Sequence, residues 1–398
     1  MKNSDRKKQE LVDAFTTTPL HGNPAAVMLL GRGSAVTATD TLLQAIAAEN
    51  NLPETAFIQE IENPAFLAQV TGSGSSGGSS PHASTSPFTS NHTFGLRWFT
   101  PVCEVPLCGH ATLAAAAVLF SGMDNPSPVI HFRTASGTLS ITKVDSPATQ
   151  QQPDAQDPTT TTTSTIITTS LTATHGDHLP AAASVCPAGS EGVTAVSGGA
   201  VAVAVAGGGG GRGDRALQLE MSLPLAALTE TPAVLQRGGP GGDGACVRAL
   251  LAACVGDLVV EHIGFTSALG LNYLMLVLAP GTTQQQLRDM RPDTAAMMLA
   301  VSKSVVSGVV VTLHEDDSEF DFVSRFFGPW MGITEDPVTG SAHTVLGPYW
   351  ADRLGKTTLS ARQCSARGGE LTVRVDESAG RVLITGSAVI VIRGSFTC

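Results

Sequence analysis

Residues 107–119 read LCGHATLAAAAVL, and residues 338–350 read VTGSAHTVLGPYW. Each stretch places a Gly, then a polar residue and then an Ala at the start of a helix-forming run, after a strand and a turn that contains Pro. The two stretches fall roughly one in each half of the chain. Their similarity predicts two similar lobes.

The segments on either side of these stretches alternate between strand and helix patterns, with strands in the majority. Helices are predicted at 40–50, where Asp40 is placed to cap the first turn, and at 111–120, 246–255, 283–290 and 343–354. Strands are predicted at 11–15, 26–30, 55–59, 96–100, 129–133, 138–143, 215–221, 262–269, 273–278, 307–313, 320–326, 370–376 and 381–392. The pattern predicts an α+β protein.

Two stretches lack any hydrophobic period. Residues 71–92 are rich in Gly, Ser and Pro, and residues 146–213 run through Thr, Ala/Val and Gly tracts. Such compositions bury too little apolar surface to offset chain entropy, so both are predicted to be flexible low-complexity insertions. The chain then divides into an N-terminal lobe at 11–145, the insertion at 146–213 and a C-terminal lobe at 214–380. The last strand, 381–393, is expected to return to the first lobe.

Charge and cysteine usage limit the class of protein. The net charge of −11 argues against nucleic acid, whose binding depends on Lys and Arg neutralising phosphates. No apolar run approaches the roughly 20 residues that span a bilayer, and the first 15 residues lack the apolar region of a secretory signal. Seven irregularly spaced cysteines do not resemble a disulfide framework. These features predict a cytoplasmic protein that binds neither nucleic acid nor membrane.

Three groups of residues are candidates for chemistry. Glu54 precedes an apolar strand, where partial burial favours general acid/base work, although a solvated Glu is the commoner case. Gly109 and His110 open a helix whose free N–H groups and dipole suit an anion. An ordinary helix start, with a histidine that is hydrogen-bonded within the protein, explains the two residues equally well. The segment 335–343 combines Asp336 with a turn and a second helix start at Gly340 and Ser341, although Asp336 can simply cap the turn.

A metal site is not expected from the sequence. Cys103, Cys108 and His110 lie close together, but no second pair of ligands follows at a spacing typical of zinc sites. The matches to a dinucleotide fingerprint (72–77) and a nucleophile elbow (74–78) lie in the first insertion, which supplies no helix for either motif. Both are attributed to composition.

Five motifs together resemble the PhzF-type, phenazine-biosynthesis-like proteins. They read DAFTTTPLHGNPAAV (13–27), NLPETAFI (51–58), RWFTPVCEVPLCGHATLAAAAVLF (97–120), GFTSALGLNYL (264–274) and GITEDPVTGSAHTVLGPYWADRLGK (332–356). The resemblance implies the diaminopimelate-epimerase-like fold, in which two pseudo-symmetric lobes each wrap a mixed sheet around a central helix. The helices that start at 109 and 340 would be the two central helices.

The resemblance also implies a cofactor-independent, metal-free isomerase that forms a homodimer and takes a small anionic metabolite bearing a carboxylate. It assigns catalysis to Glu54, His110 and Asp336, with Glu54 as general acid/base. Substrate binding falls to Asn23, Gly109, Gly340 and Ser341.

Two other functions stay open at this stage. The first is an amino-acid racemase or epimerase that uses Glu54 and Cys108 as unequal bases. The resemblance places Cys108 where one of a pair of catalytic thiols would be, but Pro337 stands at the other position. The second is a non-catalytic binding or interaction protein that retains the cleft.

Overall fold

The computed structural model describes residues 6–31, 39–61, 86–144, 216–229, 232, 235 and 244–397. Their strands are β1 (Arg6–Ala14), β2 (Asn23–Leu30), β3 (Glu54–Glu60), β4 (Thr93–Phe99), β5 (Glu104–Val105), β6 (Val129–Thr134), β7 (Gly137–Lys143), β8 (Leu217–Pro224), β9 (Val260–Thr266), β10 (Tyr273–Leu278), β11 (Gly308–Leu313), β12 (Phe322–Gly328), β13 (Ile333–Asp336), β14 (Thr358–Gln363), β15 (Gly369–Asp376) and β16 (Arg381–Thr397).

The helices of the same residues are α1 (Asp40–Asn50), α2 (Pro87–Ser90), α3 (Gly109–Ala117), α4 (Ala245–Val255), α5 (Gln284–Asp289), α6 (Thr294–Ala300) and α7 (His343–Leu354). A π-helical turn, Val118–Gly122, continues α3. No helix in this part of the chain combines the length and the apolar character needed to cross a membrane.

The two halves of the chain repeat one pattern of strand pairing. From β1 to β8, neighbours pair antiparallel, parallel, antiparallel, parallel and twice antiparallel, with β5 added beside β4. From β9 to β16 the order is the same, with β13 beside β12. The predicted α+β fold with two pseudo-symmetric lobes is confirmed.

The last strand joins the two halves. β16 pairs with β15, and its residues Arg381–Ala388 also pair with β8. Its later residues, up to Thr397, pair with β1. One strand of 17 residues therefore borders strands from both ends of the described chain.

The helices α3 and α7 occupy the core. All nine residues of α3 are buried, as expected for a helix that is apolar on every side. The largest apolar cluster contains side chains of both helices, such as Leu113 and Leu346, together with strand residues from both halves. Each helix is thus the centre of its own half of the sheet.

The first turn of α3 and the turn that leads into α7 touch through glycine. A Cβ built on Gly109 would lie 3.0 Å from the Cα of Gly340, and one built on Gly340 would lie 3.1 Å from the Cα of Gly109. Only residues without a side chain allow two backbones to approach this closely. The contact brings both helix N-termini to one place.

Several elements differ from the sequence expectations. Thr39, rather than Asp40, caps α1, with its hydroxyl accepting from the N–H of Leu42. Helix α6 and strand β14 were not predicted, and part of the expected turn at 332–342 is strand β13. Helix α7 begins at His343, as its hydrophobic pattern predicted, whereas the start at 340 that the family resemblance implied lies in tighter turns at 339–342, where each N–H bonds to the carbonyl three residues earlier.

The end of the first predicted insertion is also structured. Residues 87–90 form α2, and Phe88 is buried against Phe94 with ring centroids 5.8 Å apart. Asn125 donates to the carbonyls of Phe88 and Asn91. Because the surrounding residues are rich in Ser and Pro, the sequence pattern did not indicate that Phe88 is buried. Residues 71–85 of that insertion and the whole insertion at 146–213 lie outside the described residues.

We expect Gly109→Ala and Gly340→Ala to destabilise the protein by about 1–3 kcal/mol, the usual cost of overpacking. The loss should occur although Ala normally favours a helix over Gly. Gly31→Ala is the matched control, because a Cβ there meets no atom within 4 Å. Urea unfolding of the three variants measures the effect. Wild-type stability in both helix variants would show that the glycine contact is not a constraint.

His343 should make stability depend on pH. The imidazole is fully buried, and its Nδ1 donates to the carbonyl of Thr339 at 2.8 Å. Burial lowers its pKa from 6.5 to about 4. The unfolded chain therefore takes up a proton that the folded chain refuses, so stability is complete above pH 6.5 and falls as pH drops towards 4.

The pKa difference corresponds to a loss of about 3 kcal/mol of unfolding free energy between pH 7 and pH 4. His343→Asn keeps a donor for Thr339 but does not titrate. Urea unfolding at several pH values should show a flatter profile for the variant than for the wild type. Parallel profiles would contradict this assignment.

Candidate functional site

Both halves of the chain line a cavity of about 250 Å³ at the first turns of α3 and α7. The first half contributes Glu54 and residues 103–110. The second half contributes residues 270–273 and 339–341, together with Lys303, Ser307, Phe326, Met331, Ile333 and Asp336. At about 30 Å³ per water molecule, the cavity has room for about eight waters, which suits a small metabolite.

Glu54 and His110 form the centre of the cavity wall. Glu54 is the first residue of β3, after the turn 51–53, and His110 is the second residue of α3. The Oε2 atom of Glu54 lies 3.1 Å from the Nε2 atom of His110. Both side chains are more than nine-tenths buried, yet neither atom has an aligned hydrogen-bond partner. Each of these two atoms is therefore the other's ion-pair partner at the cavity wall.

The charge state of His110 follows from its neighbours. Burial alone would lower the pKa of the imidazole, but the adjacent Cys108 and Glu54 side chains raise it well above its usual value. The carboxylate of Glu54, 3.1 Å away, favours the protonated form of the imidazole.

Cys108 lies on the other side of the imidazole. Its sulfur is 3.4 Å from Nδ1 of His110, and 5% of the residue is exposed. Burial, and after it the charge of Glu54, raise the pKa of the thiol to about 11, although the contacts with His110 act in the opposite direction. Cys108 is therefore a neutral thiol at pH 7 and a poor nucleophile.

Asp336 reaches the cavity from the end of β13. Burial raises the pKa of its carboxyl group to about 6, and the nearby Glu54 charge acts in the same direction. The side chains of Asn23 and Thr339 donate hydrogen bonds to its two oxygens. Asp336 thus lies in the same buried polar group as Glu54 and His110.

Asn23 does not lie where a substrate contact was expected. It is fully buried and is not part of the described cavity lining. Its amide nitrogen lies 2.7 Å from Oδ1 of Asp336 and 3.0 Å from Nδ1 of His110, and it donates to the carbonyl of Val338. Because it is the first residue of β2, it sits behind the cavity wall. These contacts hold Asp336 and His110 in place, and substrate binding by Asn23 stays a prediction.

Gln363 holds the turn that carries Asp336. Its Nε2 donates to the Asp336 carbonyl at 2.6 Å, and its Oε1 accepts from the Thr339 N–H at 2.8 Å. Gln363 is fully buried at the end of β14. This clamp fixes the backbone that leads into Gly340.

Helix N-termini supply the donors of the site. The first N–H groups of a helix lack intrahelical partners and carry the positive end of its dipole. Gly109 and His110 of the first helix and Gly340 and Ser341 of the second line the cavity. The hydroxyl of Ser341 lies 3.1 Å from that of Tyr273. These groups suit an anion bound between the two helix starts.

The structure brings Glu54, Gly109, His110, Asp336, Gly340 and Ser341 around one cavity and places Asn23 behind it. The sequence reasoning missed Tyr273, Thr339 and Gln363. Tyr273 and Thr339 lie inside two of the family motifs, but the sequence reasoning gave neither residue a role in the site. Gln363 lies in a strand that was not predicted, so no signal pointed to it.

Comparison of the sequence with known proteins places this chain in one protein family. The family model described as phenazine biosynthesis-like protein matches residues 12–195 and 246–394. The mouse phenazine biosynthesis-like domain-containing protein 1 is 32% identical over 391 residues, covering 97% of this chain and 98% of the mouse protein. A Pseudomonas aeruginosa protein named as an uncharacterised isomerase is 32% identical over 383 residues, covering 96% and 95%.

Solved structures agree with the topology. A PhzF-family protein of Enterococcus faecalis superposes with a TM-score of 0.61 at 27% identity, covering 99% of this chain and all of the other. A predicted epimerase of Pseudomonas aeruginosa gives 0.56 at 19% identity, covering 98% and 99%, which shows a shared fold. The sequence resemblance and its implied fold are confirmed.

Alkylation should separate Cys108 from the more accessible thiols. With a pKa of about 11, only about 0.1% of Cys108 is thiolate at pH 8. We expect iodoacetamide to label the half-buried Cys103 and Cys246 first and Cys108 no faster than the equally buried Cys364. Mass-spectrometric peptide mapping over time measures the order. Fastest labelling at Cys108 would show an activated thiol and reverse this interpretation.

Proposed function

Because the chain belongs to the phenazine biosynthesis-like protein family, we propose that it is a cofactor-independent isomerase. It moves a proton on a small metabolite that carries a carboxylate, and Glu54 is the general acid/base. The observation that supports this most directly is the buried ion pair of Glu54 Oε2 and His110 Nε2, 3.1 Å apart, in two residues that line the cavity. The name of the bacterial relative points to the same class of reaction.

Substrate orientation follows from the donors around the cavity. The N–H groups of Gly109 and Gly340 and the hydroxyl of Ser341 would bind the carboxylate between the two helix starts. The same donors stabilise negative charge that develops next to the carboxylate when a neighbouring carbon loses its proton. The apolar wall of Leu271 and Phe326 limits the access of water to that charge.

Proton transfer requires no electron acceptor. The Glu54 carboxylate takes a proton from a substrate carbon, and the electron pair of the broken C–H bond moves into the adjacent π system. The protonated Glu54 then returns a proton to a different carbon or to an oxygen of the same substrate. One bond to hydrogen breaks and one forms, so substrate and product are isomers.

His110 and Asp336 support this cycle. A charged His110 stabilises the Glu54 carboxylate before transfer and supplies a proton on the return. Asp336 carries a pKa of about 6, so it exchanges protons near neutral pH, while Asn23 links it to the His110 ring. Protons can therefore exchange among Glu54, His110 and Asp336. In this proposal Glu54 is the side chain that transfers the proton to or from the substrate carbon.

A racemase is less well supported by this cavity, whether it uses two thiols or Glu54 and Cys108 as unequal bases. Cys103 and Cys108 both come from the segment that precedes α3, and the second half contributes no cysteine to the described lining. Racemisation needs bases on opposite faces of one carbon. The raised pKa of Cys108 further separates it from that role.

The test begins with a thermal-shift screen of small carboxylates and follows each stabilising compound by NMR in D₂O. For a substrate, the wild-type protein should introduce deuterium at a carbon position, because the Glu54 proton exchanges with solvent. Glu54→Gln keeps the shape of the side chain but removes the base. It should bind the same compound within a few-fold and lose about 10²–10⁴ in exchange rate.

Glu104→Gln is the matched control, since Glu104 lines the same cavity but is held by Arg97 in a two-point ion pair of 2.7 Å contacts. It should keep the exchange rate. Full exchange in Glu54→Gln would remove Glu54 from the centre of the mechanism. Binding without exchange in the wild type, for every compound found, would favour a binding protein.

A further inference from the structure

One charged side chain of the cavity lining differs from the others in having no ion-pair partner. Glu54 lies 3.1 Å from His110, and Glu104 lies 2.7 Å from Arg97. Lys303 also lines the cavity, but no described residue forms an ion pair or a hydrogen bond with its ammonium group. The residue is exposed, so it lies where the cavity opens to solvent. The opening therefore carries a positive charge that the described part of the chain does not pair.

Asn272 is a second polar residue of the lining whose side chain has no partner among the described residues. Its backbone has a φ of 48°, in the left-handed region that Asn tolerates better than most residues. Leu269 and Gly270 of the same loop also have positive φ values, 57° and 72°. Such backbone conformations cluster at ligand-binding sites. The side-chain amide of Asn272 is therefore free to bind a ligand.

Ser307 connects the two positions. Its N–H donates to the carbonyl of Asn272 at 2.9 Å, and Ser307 itself lines the cavity. Lys303 lies in the turn just before it, where the N–H of Val306 donates to the carbonyl of Ser302 at 3.2 Å. These bonds fix the backbone on both sides, so a ligand in the cavity meets both polar groups after side-chain rotation alone.

The same lining contains apolar side chains, among them Leu271, Met331 and Ile333. They offer no partner for charge but suit the hydrocarbon part of a ligand. The cavity thus has two sets of donors for anionic oxygen atoms. One set lies at the helix starts, and the other consists of Lys303 and Asn272.

The chemistry of the second set favours a carboxylate over a phosphate. An ammonium group donates three hydrogen bonds and a side-chain amide donates two, which matches the roughly four acceptor positions of one carboxylate. Phosphate sites commonly use Arg side chains or runs of successive backbone N–H groups. The described lining contains no Arg.

We propose that Lys303 and Asn272 bind a second carboxylate of the substrate, so that the substrate is a dicarboxylate. The inference rests on the proposed function, in which the first carboxylate binds at the helix starts beside Glu54. Two anchors orient the carbon chain between them and determine which carbon faces Glu54, whereas a single anchor leaves the chain free to rotate. Selection against monocarboxylates follows from the unpaired charge of Lys303.

Paired ligands test this assignment. Isothermal titration calorimetry compares acids of equal carbon number on the full-length protein: succinate with butyrate, glutarate with valerate and adipate with hexanoate. We expect at least one dicarboxylate to bind about tenfold more tightly than its partner, the effect of one hydrogen bond to a charged group. Added NaCl should reduce the difference, because Lys303 is exposed to screening. A wild-type protein that prefers none of the dicarboxylates overturns the proposal.

Variants identify the residues responsible for the preference. Lys303→Gln should abolish it without changing monocarboxylate binding, and Lys303→Arg should retain it because the charge remains. Lys143→Gln is the matched control, since Lys143 is an exposed lysine outside the cavity lining. Asn272→Asp keeps a residue that tolerates positive φ and should weaken dicarboxylate binding by repulsion. A preference that survives in Lys303→Gln, or an equal loss for both acids of a pair, overturns the role of Lys303. Unchanged dicarboxylate binding in Asn272→Asp removes Asn272 from the site.

Solvent exchange separates this inference from the proposed function. Glutaconate and 2-pentenoate both have five carbons and C–H bonds next to a π system, and NMR in D₂O follows deuterium uptake by each. Faster exchange of glutaconate that Lys303→Gln reduces to the rate of 2-pentenoate supports both proposals. Equal exchange of the two acids, unchanged in Lys303→Gln, overturns the dicarboxylate assignment and leaves the proposed function standing. Dicarboxylates that bind through Lys303 without exchange count against the proposed function alone.

Discussion

The backbone contact between Gly109 and Gly340 is the constraint on which the site depends. It lets the first turns of α3 and α7 meet with no side chain between them. Each helix end carries the equivalent of about half a positive charge, and two such ends at one cavity favour an anion more than either alone. The repeated strand order then places one acidic side chain from each half, Glu54 and Asp336, at the same point.

Two buried amides make this arrangement rigid. Asn23 ties Asp336 to the His110 ring, and Gln363 fixes the backbone between Asp336 and Thr339. Burying polar groups costs free energy unless they are paired, so the bonds made by these amides offset the cost of placing charge inside the protein. Glu54 and His110 pair with each other and line the cavity, so their ion pair is next to the space that a ligand would occupy. Asn23 and Gln363 therefore stabilise the site, whereas Glu54 and His110 are the side chains proposed to react.

Much of the fold could be read from the sequence because its strongest signals are local. The helix at 40–50 and the helix at 343–354 were predicted with their observed bounds, since hydrophobic spacing and end signals act within a few residues. Helix α6 and strand β14 were not predicted from the sequence, because tertiary packing rather than a local sequence pattern determines their conformation. Most of the candidate site came from the family motifs. The roles of Asn23 and Gln363 could not be deduced, because their partners lie 313 and 27 residues away in the sequence.

The double pairing of β16 has a consequence for the order of folding. β1 borders β2, which follows at once, and β16, whose partner residues lie more than 370 positions further along the chain. Until a ribosome has synthesised that last strand, one side of β1 and one side of β8 have no partner from it. Contacts of such long range close late and slow folding, and unpaired strand sides invite association with other chains. The strand pairing of the first half is therefore complete only after β16 has been made.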